Sequence, residues 1–407
     1  MRIRFHSYFY PPCVGGGEVV LARQAQELAR RGHEVHVHTS TFANLDLGSR
    51  VEAGTRVEEG VFVHRRPALR IPVRNPLEAD VVVPAVARDA WQPADVLVCV
   101  GYPSPQLDAL SLRCRLDGTP LMVQNYVTAA MLDTLLSSRG GAHRHVRAAY
   151  WRHWVAPRLA AARWVVADSE SAGAALRSRL GLGNVHVAMG MAVDPDEFDA
   201  VGPEERAAVR ARLGLGEDRI VLAPSRFARQ KGADLLVEAM APLLSPGGPL
   251  ARGWRLVIPG AVNEPAYAAT VRAQAAPLGD RVVFAPDAGL PRPQLVALMT
   301  TADVVALPSR GETVGGVVLE GMQAGALAVV SDAVEAARDT YLRDGRNGLL
   351  VPAGDVPAWR AAIVRAATTE VSRLRLAGRL SVAQEHTWTA RVDAWEAMVE
   401  EGTRAHA

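Results

Sequence analysis

The stretch from Leu307 to Asp332, LPSRGETVGGVVLEGMQAGALAVVSD, constrains the fold more than any other part of this chain. An apolar run closes on Pro308 and Ser309, and a short polar loop carries Glu312. Gly315 and Gly316 precede an apolar helical segment bearing Glu320, and Gly325 is placed to end that helix. A second apolar run, Leu327 to Val330, begins at once. Strand, loop, helix and strand in this order have the length of one right-handed crossover between parallel strands. In open α/β sheets the loop at the carboxyl end of a parallel strand faces the ligand crevice. Two glycines let the backbone approach a ligand closely, and the N–H groups of a helix start can hold a phosphate. Glu320 stands in an otherwise apolar run of Val317, Val318, Leu319 and Met322. A carboxylate there costs free energy unless donors meet it. Sugar and ribose hydroxyls are suitable donors; a neighbouring backbone or a basic residue is the alternative.

At 407 residues, 49% of them hydrophobic, the chain is long enough for two packed domains. A net charge of +2 gives no reason to expect a nucleic-acid partner. Cys13, Cys99 and Cys114 are odd in number and form no C-x-x-C, so neither a disulfide framework nor a zinc site is expected. The N-terminus, MRIRFHSYFYPP, lacks the apolar core of a signal peptide, and no apolar run is long enough to span a bilayer. These features predict a cytoplasmic protein.

The chain opens on a strand, Ile3 to Tyr8, broken by Pro11 and Pro12. VGGGEVV then leads into a helix with Val20, Leu21, Ala25 and Leu28 on one face; Gly32 stops it, and His33 to Thr39 forms a second strand. A nicotinamide-binding fingerprint would need G-x-G-x-x-G and an acid closing the second strand. Here the glycines are consecutive, Gly15 to Gly17, and the strand runs into Thr39, Ser40 and Thr41. His36 and His38 alternate along that strand and His33 sits in a turn, which predicts structural roles. Further strands are expected at Val61 to His64, Val96 to Val100, Leu121 to Asn125, Trp164 to Asp168 and Val185 to Ala188. From His143 to Trp164 basic and aromatic residues interleave, around Pro157. Packed tryptophans with solvated arginines explain this pattern; membrane-surface association is the less favoured alternative.

Several of these segments resemble the GT4 family of retaining, nucleotide-sugar-dependent glycosyltransferases. Glu312 and Glu320 are separated by seven residues, with Gly315 between and Met322, Gln323, Ala324 and Gly325 after. This is similar to the family pattern E-x-F-G-x4-E-A-M-A-x-G-x-P-V-V, with Val314 for the aromatic residue and Gly321 for the first alanine. PPCVGGG with its following helix resembles P-P-x-x-G-G. VAMGMAVDPDEF (187–198) resembles the family hinge. Ser225, Arg226 and Lys231-Gly232 resemble G-R-x-x-x-x-K-G, with serine for the first glycine, and Pro286 stands where V-x-F-x-G has its glycine. DGRNGLLVPAGD (344–355) matches a turn-strand-turn of the family. After the Leu121 strand the family usually places a histidine near the reacting sugar; here Asn125 or Tyr126 occupies that place.

The resemblance implies a GT-B fold, two Rossmann-like doubly wound domains facing across a cleft. It assigns 1–198, joined by a C-terminal helix at about 386–407, to an N-terminal acceptor domain. It assigns 199–385 to a domain that binds a nucleotide-sugar donor. Glu320 is expected on the ribose hydroxyls and Glu312 on those of the transferred sugar. Arg226, Lys231 and the N–H groups of Thr313, Val314, Gly315 and Gly316 are expected on the diphosphate, and Gly16 and Gly17 touch donor phosphate or acceptor. No metal and no cofactor beyond the nucleotide sugar is expected. The mechanism implied is front-face displacement, with the leaving phosphate oxygen taking the acceptor proton. Acceptors compatible with this range from a natural-product aglycone to a cell-envelope glycan. A sugar-nucleotide 2-epimerase of the same fold, or an idle sugar-nucleotide-binding protein, would keep the same donor motifs.

Overall fold

The protein is described here by a computed structural model covering residues 1–13, 15–43, 48–70, 81–101, 104–137, 142–188 and 190–404. It folds as two compact units, Met1–Gly190 with Arg391–Ala407, and Met191–Ala390.

The first unit is built on strands β1 (Arg2–Ser7), β2 (Glu34–Ser40), β3 (Gly54–Glu58), β4 (Val61–Arg66), β5 (Leu69–Arg70), β6 (Val81–Val82), β7 (Val96–Val100), β8 (Leu121–Asn125), β9 (Trp164–Ala167) and β10 (Val185–Val187). Eight of them form one sheet in the order β10-β9-β8-β7-β1-β2-β4-β3; β5 and β6 pair separately. All neighbours in the large sheet are parallel except the edge strand β3, which runs antiparallel to β4. The β3–β4 hairpin turns through Glu59 and Gly60, both at positive φ (48° and 82°).

Alternation along the strands decides what each face meets. Ile3, Phe5, Val35, Val37, Val61 and Val63 point to one face and are fully buried. They pack with Leu21, Ala25 and Leu28 of the helix Gly16–Arg30 and with Val392, Trp395 and Val399 of the terminal helix. Strands β7 to β9 are apolar on both faces, as expected of parallel strands covered twice. Leu97, Cys99, Leu121, Val123 and Val165 meet Leu107, Leu110, Trp151 and Leu176 on the second face.

On β1, β2 and β4 that second face is polar. His6, His38 and His64 are direct cross-strand neighbours, with ring centroids 4.7 and 4.5 Å apart. His36 stacks on Phe62 and shares a hydrogen bond with His64 at 2.9 Å. His33 lies between the terminal amine and Glu396. The alternating histidines are thus part of the sheet's architecture.

The segment around Pro157 is two helices, Ala142–Tyr150 and Ala156–Ala161, joined by a π-helical turn, Trp151–Val155. A proline ring clashes with the carbonyl four residues before it in a regular α-helix, and the wider turn lies where that clash would fall. Trp151 is buried, whereas Trp154 is half exposed, bonded to Asp108 and covered by the Arg158 guanidinium 3.7 Å from its ring centroid. No described helix is long and apolar enough to cross a membrane.

The second unit carries β11 (Arg219–Leu222), β12 (Trp254–Ile258), β13 (Val282–Phe284), β14 (Val304–Leu307), β15 (Leu327–Ser331) and β16 (Leu349–Val351). They form a fully parallel sheet in the order β13-β12-β11-β14-β15-β16. The apolar runs RLVIPG (255–260) and RVVFAPD (281–287) read as strands from the sequence, and the strands they form are shorter. Pro259 and Pro286 lack the N–H that a ladder needs, so the chain leaves the sheet at or before them. The order changes direction at β11, between β12 and β14, so the loops after β11 and β14 leave the sheet at a topological switch point.

Candidate functional site

Those two loops are tied together before any side chain with charge is considered. Gly232 follows β11 with φ +72°, and a Cβ there would lie 2.1 Å from the carbonyl oxygen of Pro308, just after β14. Only glycine permits that approach. The Arg310 amide donates to the Gln230 carbonyl at 2.7 Å, and the Gln230 amide group donates to the Gly311 carbonyl at 2.5 Å. The Arg310 guanidinium donates to the Arg229 carbonyl and forks onto both oxygens of Asp234, at 2.9 and 2.7 Å. Tyr267 Oη donates to the same Asp234 carboxylate. Burial works to raise the Asp234 pKa, but bonds from Arg310 and Tyr267 hold it below the usual carboxylate range.

This lacing brings Lys231 Nζ to 2.5 Å from Glu312 Oε1, with Ser309 Oγ donating to Oε2 at 2.9 Å. Two of the residues expected at the site therefore meet directly. Arg226 does not join them: it lies on the same loop but is exposed, and its Nη1 donates to Asn263 Oδ1 at 3.3 Å.

From Glu312 to Val314 the backbone is held by its carbonyls. Glu335 N donates to Glu312 O, Ala336 N to Thr313 O, and the buried Tyr341 hydroxyl to Val314 O at 2.7 Å. Burial, and then the nearby Glu312 charge, keep the Tyr341 hydroxyl protonated well above its ordinary range, so it remains a donor. Gly315 adopts the left-handed conformation, φ 71° and ψ 51°, and caps the helix Gly316–Gln323. The first N–H groups of a helix have no intrahelical acceptor, so this loop ends in donors. Gly316 is closed on one side by Met191, and Gly321 lies against Val305, where a Cβ would come within 2.5 Å. The glycine in place of the family's alanine thus lets the helix sit close on β14.

Glu320 is only 8% exposed. Its Oε1 pairs with Arg292 Nη1 at 2.7 Å. Burial pushes its carboxyl pKa up, and Arg292 works against that. Sequence reasoning left open whether a basic residue or a ligand hydroxyl meets this carboxylate; Arg292 takes one of its oxygens. Arg292, Arg310 and Tyr341 were not picked out from the sequence. Their partners lie 28, 76 and 27 residues away, and no local motif marks such pairs.

Gly16 and Gly17 belong to the first unit and open the helix Gly16–Arg30. Neither is at positive φ, so a left-handed turn is not what requires them. A Cβ on Gly17 would press to 3.3 Å on the Tyr126 ring, whereas one on Gly16 would meet nothing within 4 Å. Tyr126 therefore packs on the glycine loop from the end of β8. Among the described residues no group of three or more His, Cys, Asp or Glu is arranged to hold a metal ion.

Residues 218–369 match the family model described as glycosyl transferases group 1, and residues 14–189 match that described as glycosyltransferase family 4. Among curated proteins, a D-inositol 3-phosphate glycosyltransferase from Stackebrandtia nassauensis is 35% identical over 209 residues, 49% of this chain and 45% of that one. A GDP-mannose-dependent alpha-(1-6)-phosphatidylinositol monomannoside mannosyltransferase from Mycolicibacterium smegmatis is 32% identical over 213 residues, 49% of this chain and 52% of that one. The chain spans about half the length of the curated relatives it matches. In fold it resembles a sucrose-phosphate synthase from Thermosynechococcus elongatus, with TM-score 0.78 and 20% identity over 99% of each chain. It also resembles Anabaena HepE in complex with UDP, with TM-score 0.73 and 19% identity over 98% of this chain and all of that one. These likenesses, with the two parallel α/β units, give a GT-B fold.

Proposed function

Because this chain belongs to the family 4 glycosyltransferases, we propose that it transfers a sugar, with retention, from a nucleotide diphosphate sugar to an acceptor hydroxyl. The observation that carries the reading is the Lys231–Glu312 pair, followed by a left-handed glycine that opens a helix with a buried glutamate. A cation, a row of helix-start N–H groups and two carboxylates at a switch point suit a diphosphate flanked by two sets of hydroxyls.

In this reading Glu320 receives ribose hydroxyls and Glu312 receives hydroxyls of the transferred sugar. Lys231, Arg226 and the N–H groups of Thr313 to Gly316 stabilise the departing diphosphate, the electrostatic contribution that usually dominates such chemistry. Gly16 and Gly17 let the first unit's backbone approach the donor phosphate or the acceptor. Those cations and amides serve in place of a metal, and the protein works in the cytoplasm. The acceptor class is a small-molecule or glycan hydroxyl. The relatives named for inositol phosphate and phosphatidylinositol mannoside make polyols the first to try.

A thermal-shift panel of UDP, GDP, ADP and dTDP sugars tests this, with Lys231→Ala alongside. A ligand that binds the folded state raises Tm. One donor should raise it in the wild type and lose most of the effect in the variant, with or without EDTA. A shift that survives Lys231→Ala unchanged would remove the diphosphate from that loop, and no shift with any nucleotide sugar would sink the reading.

A further inference from the structure

Glu320 is embedded among Val318, Leu319 and Met322, all fully buried, so the position of its carboxylate depends on what charge accompanies it. That charge is Arg292, the first residue of the helix Arg292–Met299. Its side chain is 42% exposed, so water competes for it, and a single contact to Glu320 would not fix it. The remaining edge of the guanidinium is held elsewhere. Nε and Nη2 donate to the two oxygens of Glu197, on the short helix Pro195–Asp199, at 2.8 and 2.7 Å. The Phe198 ring lies 5.8 Å from the guanidinium carbon.

A guanidinium is planar, with its donors in a fixed fork. Once the Nε/Nη2 edge is locked on Glu197, the plane of the guanidinium and the directions of its Nη1 N–H groups are fixed, and Nη1 meets Glu320 Oε1. No described residue pairs with Glu320 Oε2. A lysine could not reproduce this, because it has no second edge to be held by.

We infer that the Glu197–Arg292 fork is a positioning device that fixes the Glu320 carboxylate to receive a vicinal diol, and so makes the nucleotide pocket selective for ribose over 2-deoxyribose. The inference rests on the reading above, in which Glu320 meets the ribose. A ribose offers two hydroxyl donors to one carboxylate and a 2-deoxyribose only one. A site built around a hydroxyl rejects an analogue lacking it because a buried polar group is left unpaired. That penalty requires a carboxylate that cannot rotate toward water. Glu197 and Arg292 touch no ligand in this account; they act through Glu320.

The test is calorimetric titration of the full chain with UDP against 2′-deoxyUDP, and GDP against 2′-deoxyGDP. The proteins are the wild type, Glu197→Gln, Arg292→Lys and Glu320→Gln. For the nucleotide that binds, the wild type should favour the ribose form by about tenfold or more. Glu197→Gln and Arg292→Lys should bring that ratio to within about threefold, chiefly by weakening the ribose form. General damage to the unit would weaken both forms alike and leave the ratio standing. Glu197 is half-buried on a peripheral helix, so its variant keeps the test open if Arg292→Lys folds poorly. A ratio unchanged in both fork variants overturns the inference while Glu320→Gln still abolishes it. A ratio unchanged in Glu320→Gln overturns the ribose reading itself. A wild type without ribose preference overturns both.

Discussion

Lys231 Nζ stands 2.5 Å from Glu312 Oε1, so the cation assigned to the diphosphate is held by the carboxylate assigned to the sugar. Both side chains are about 15% exposed, and their mutual attraction is screened less than that of a surface pair. Removing one charge therefore changes what the other offers. Glu312→Gln should leave affinity for a nucleoside diphosphate equal to wild type or higher, because Lys231 then meets phosphate without a competing carboxylate. Its turnover should fall by about 10²-fold or more. Lys231→Ala should lose diphosphate affinity and turnover together. Calorimetry with the diphosphate alone, set beside turnover, distinguishes the two; matched losses of diphosphate affinity would end the division of labour.

Gly315 is where the loop becomes a helix, at φ 71°, and a Cβ there would stand 2.9 Å from both Leu307 Cδ2 and Val334 Cγ1. Gly315→Ala combines left-handed strain, roughly 1–2 kcal/mol, with overpacking, about 1–3 kcal/mol. Urea unfolding should show a loss on the order of 3 kcal/mol. Gly311→Ala is the control. It lies four residues earlier, has open space around it and is not at positive φ, so its midpoint should stay near wild type.

The Tyr341 hydroxyl is one of three donors that hold the loop by its carbonyls. Tyr341→Phe keeps the ring and leaves the part-buried Val314 carbonyl without that bond, a cost of about 1–3 kcal/mol. The loop's N–H groups are then less well placed for the diphosphate. The expected kinetic signature is a raised donor KM at unchanged acceptor KM. Equal changes in both would assign the hydroxyl to general stability.

The parallel sheets were legible because their strands are apolar runs bounded by glycine and proline. Val96–Val100 and Leu121–Asn125 were expected with the ends observed. Their tight crossovers depend on local signals, glycine above all. The edge strand Gly54–Glu58 was not recognised. Its residues are mostly exposed, so they carry no hydrophobic alternation, and its turn uses Glu59 at positive φ in place of the usual asparagine or aspartate. At the site, Glu312, Glu320 and the glycines between them are contiguous and readable. Arg292, Arg310 and Tyr341 are not, because each is defined by a partner the sheet brings near. Alternation predicts structural roles for His36 and His38 of β2, but it says nothing of the histidines they stack with, His6 on β1 and His64 on β4. That three of them form one cross-strand column required the register.

That column makes the first unit sensitive to acid. Burial, reinforced by His38, His36, Arg66 and Arg4, lowers the His64 pKa to about 3. His6 is pushed well below its ordinary value by burial and by His38. His36 and His38 are lowered by burial too, although Glu34 and Asp89 pull them the other way. In the unfolded chain each histidine takes up its proton near pH 6.5. Between that value and the depressed native ones the unfolded chain binds more protons, so stability rises with pH. The histidine contribution is therefore intact above pH 6.5 and is progressively lost as pH falls from there toward about 3. His64 is the most accessible test, being only half-buried and bonded to Thr55 and His36 at its edge. His64→Gln keeps hydrogen-bonding capacity and removes one proton site. Urea midpoints measured from pH 7.5 to 5 should fall less steeply in this variant than in the wild type. The two should differ least above pH 7, where the imidazole is neutral in both states. An identical slope would mean that His64 titrates in the folded chain as freely as in the unfolded one, contrary to its place in the stack.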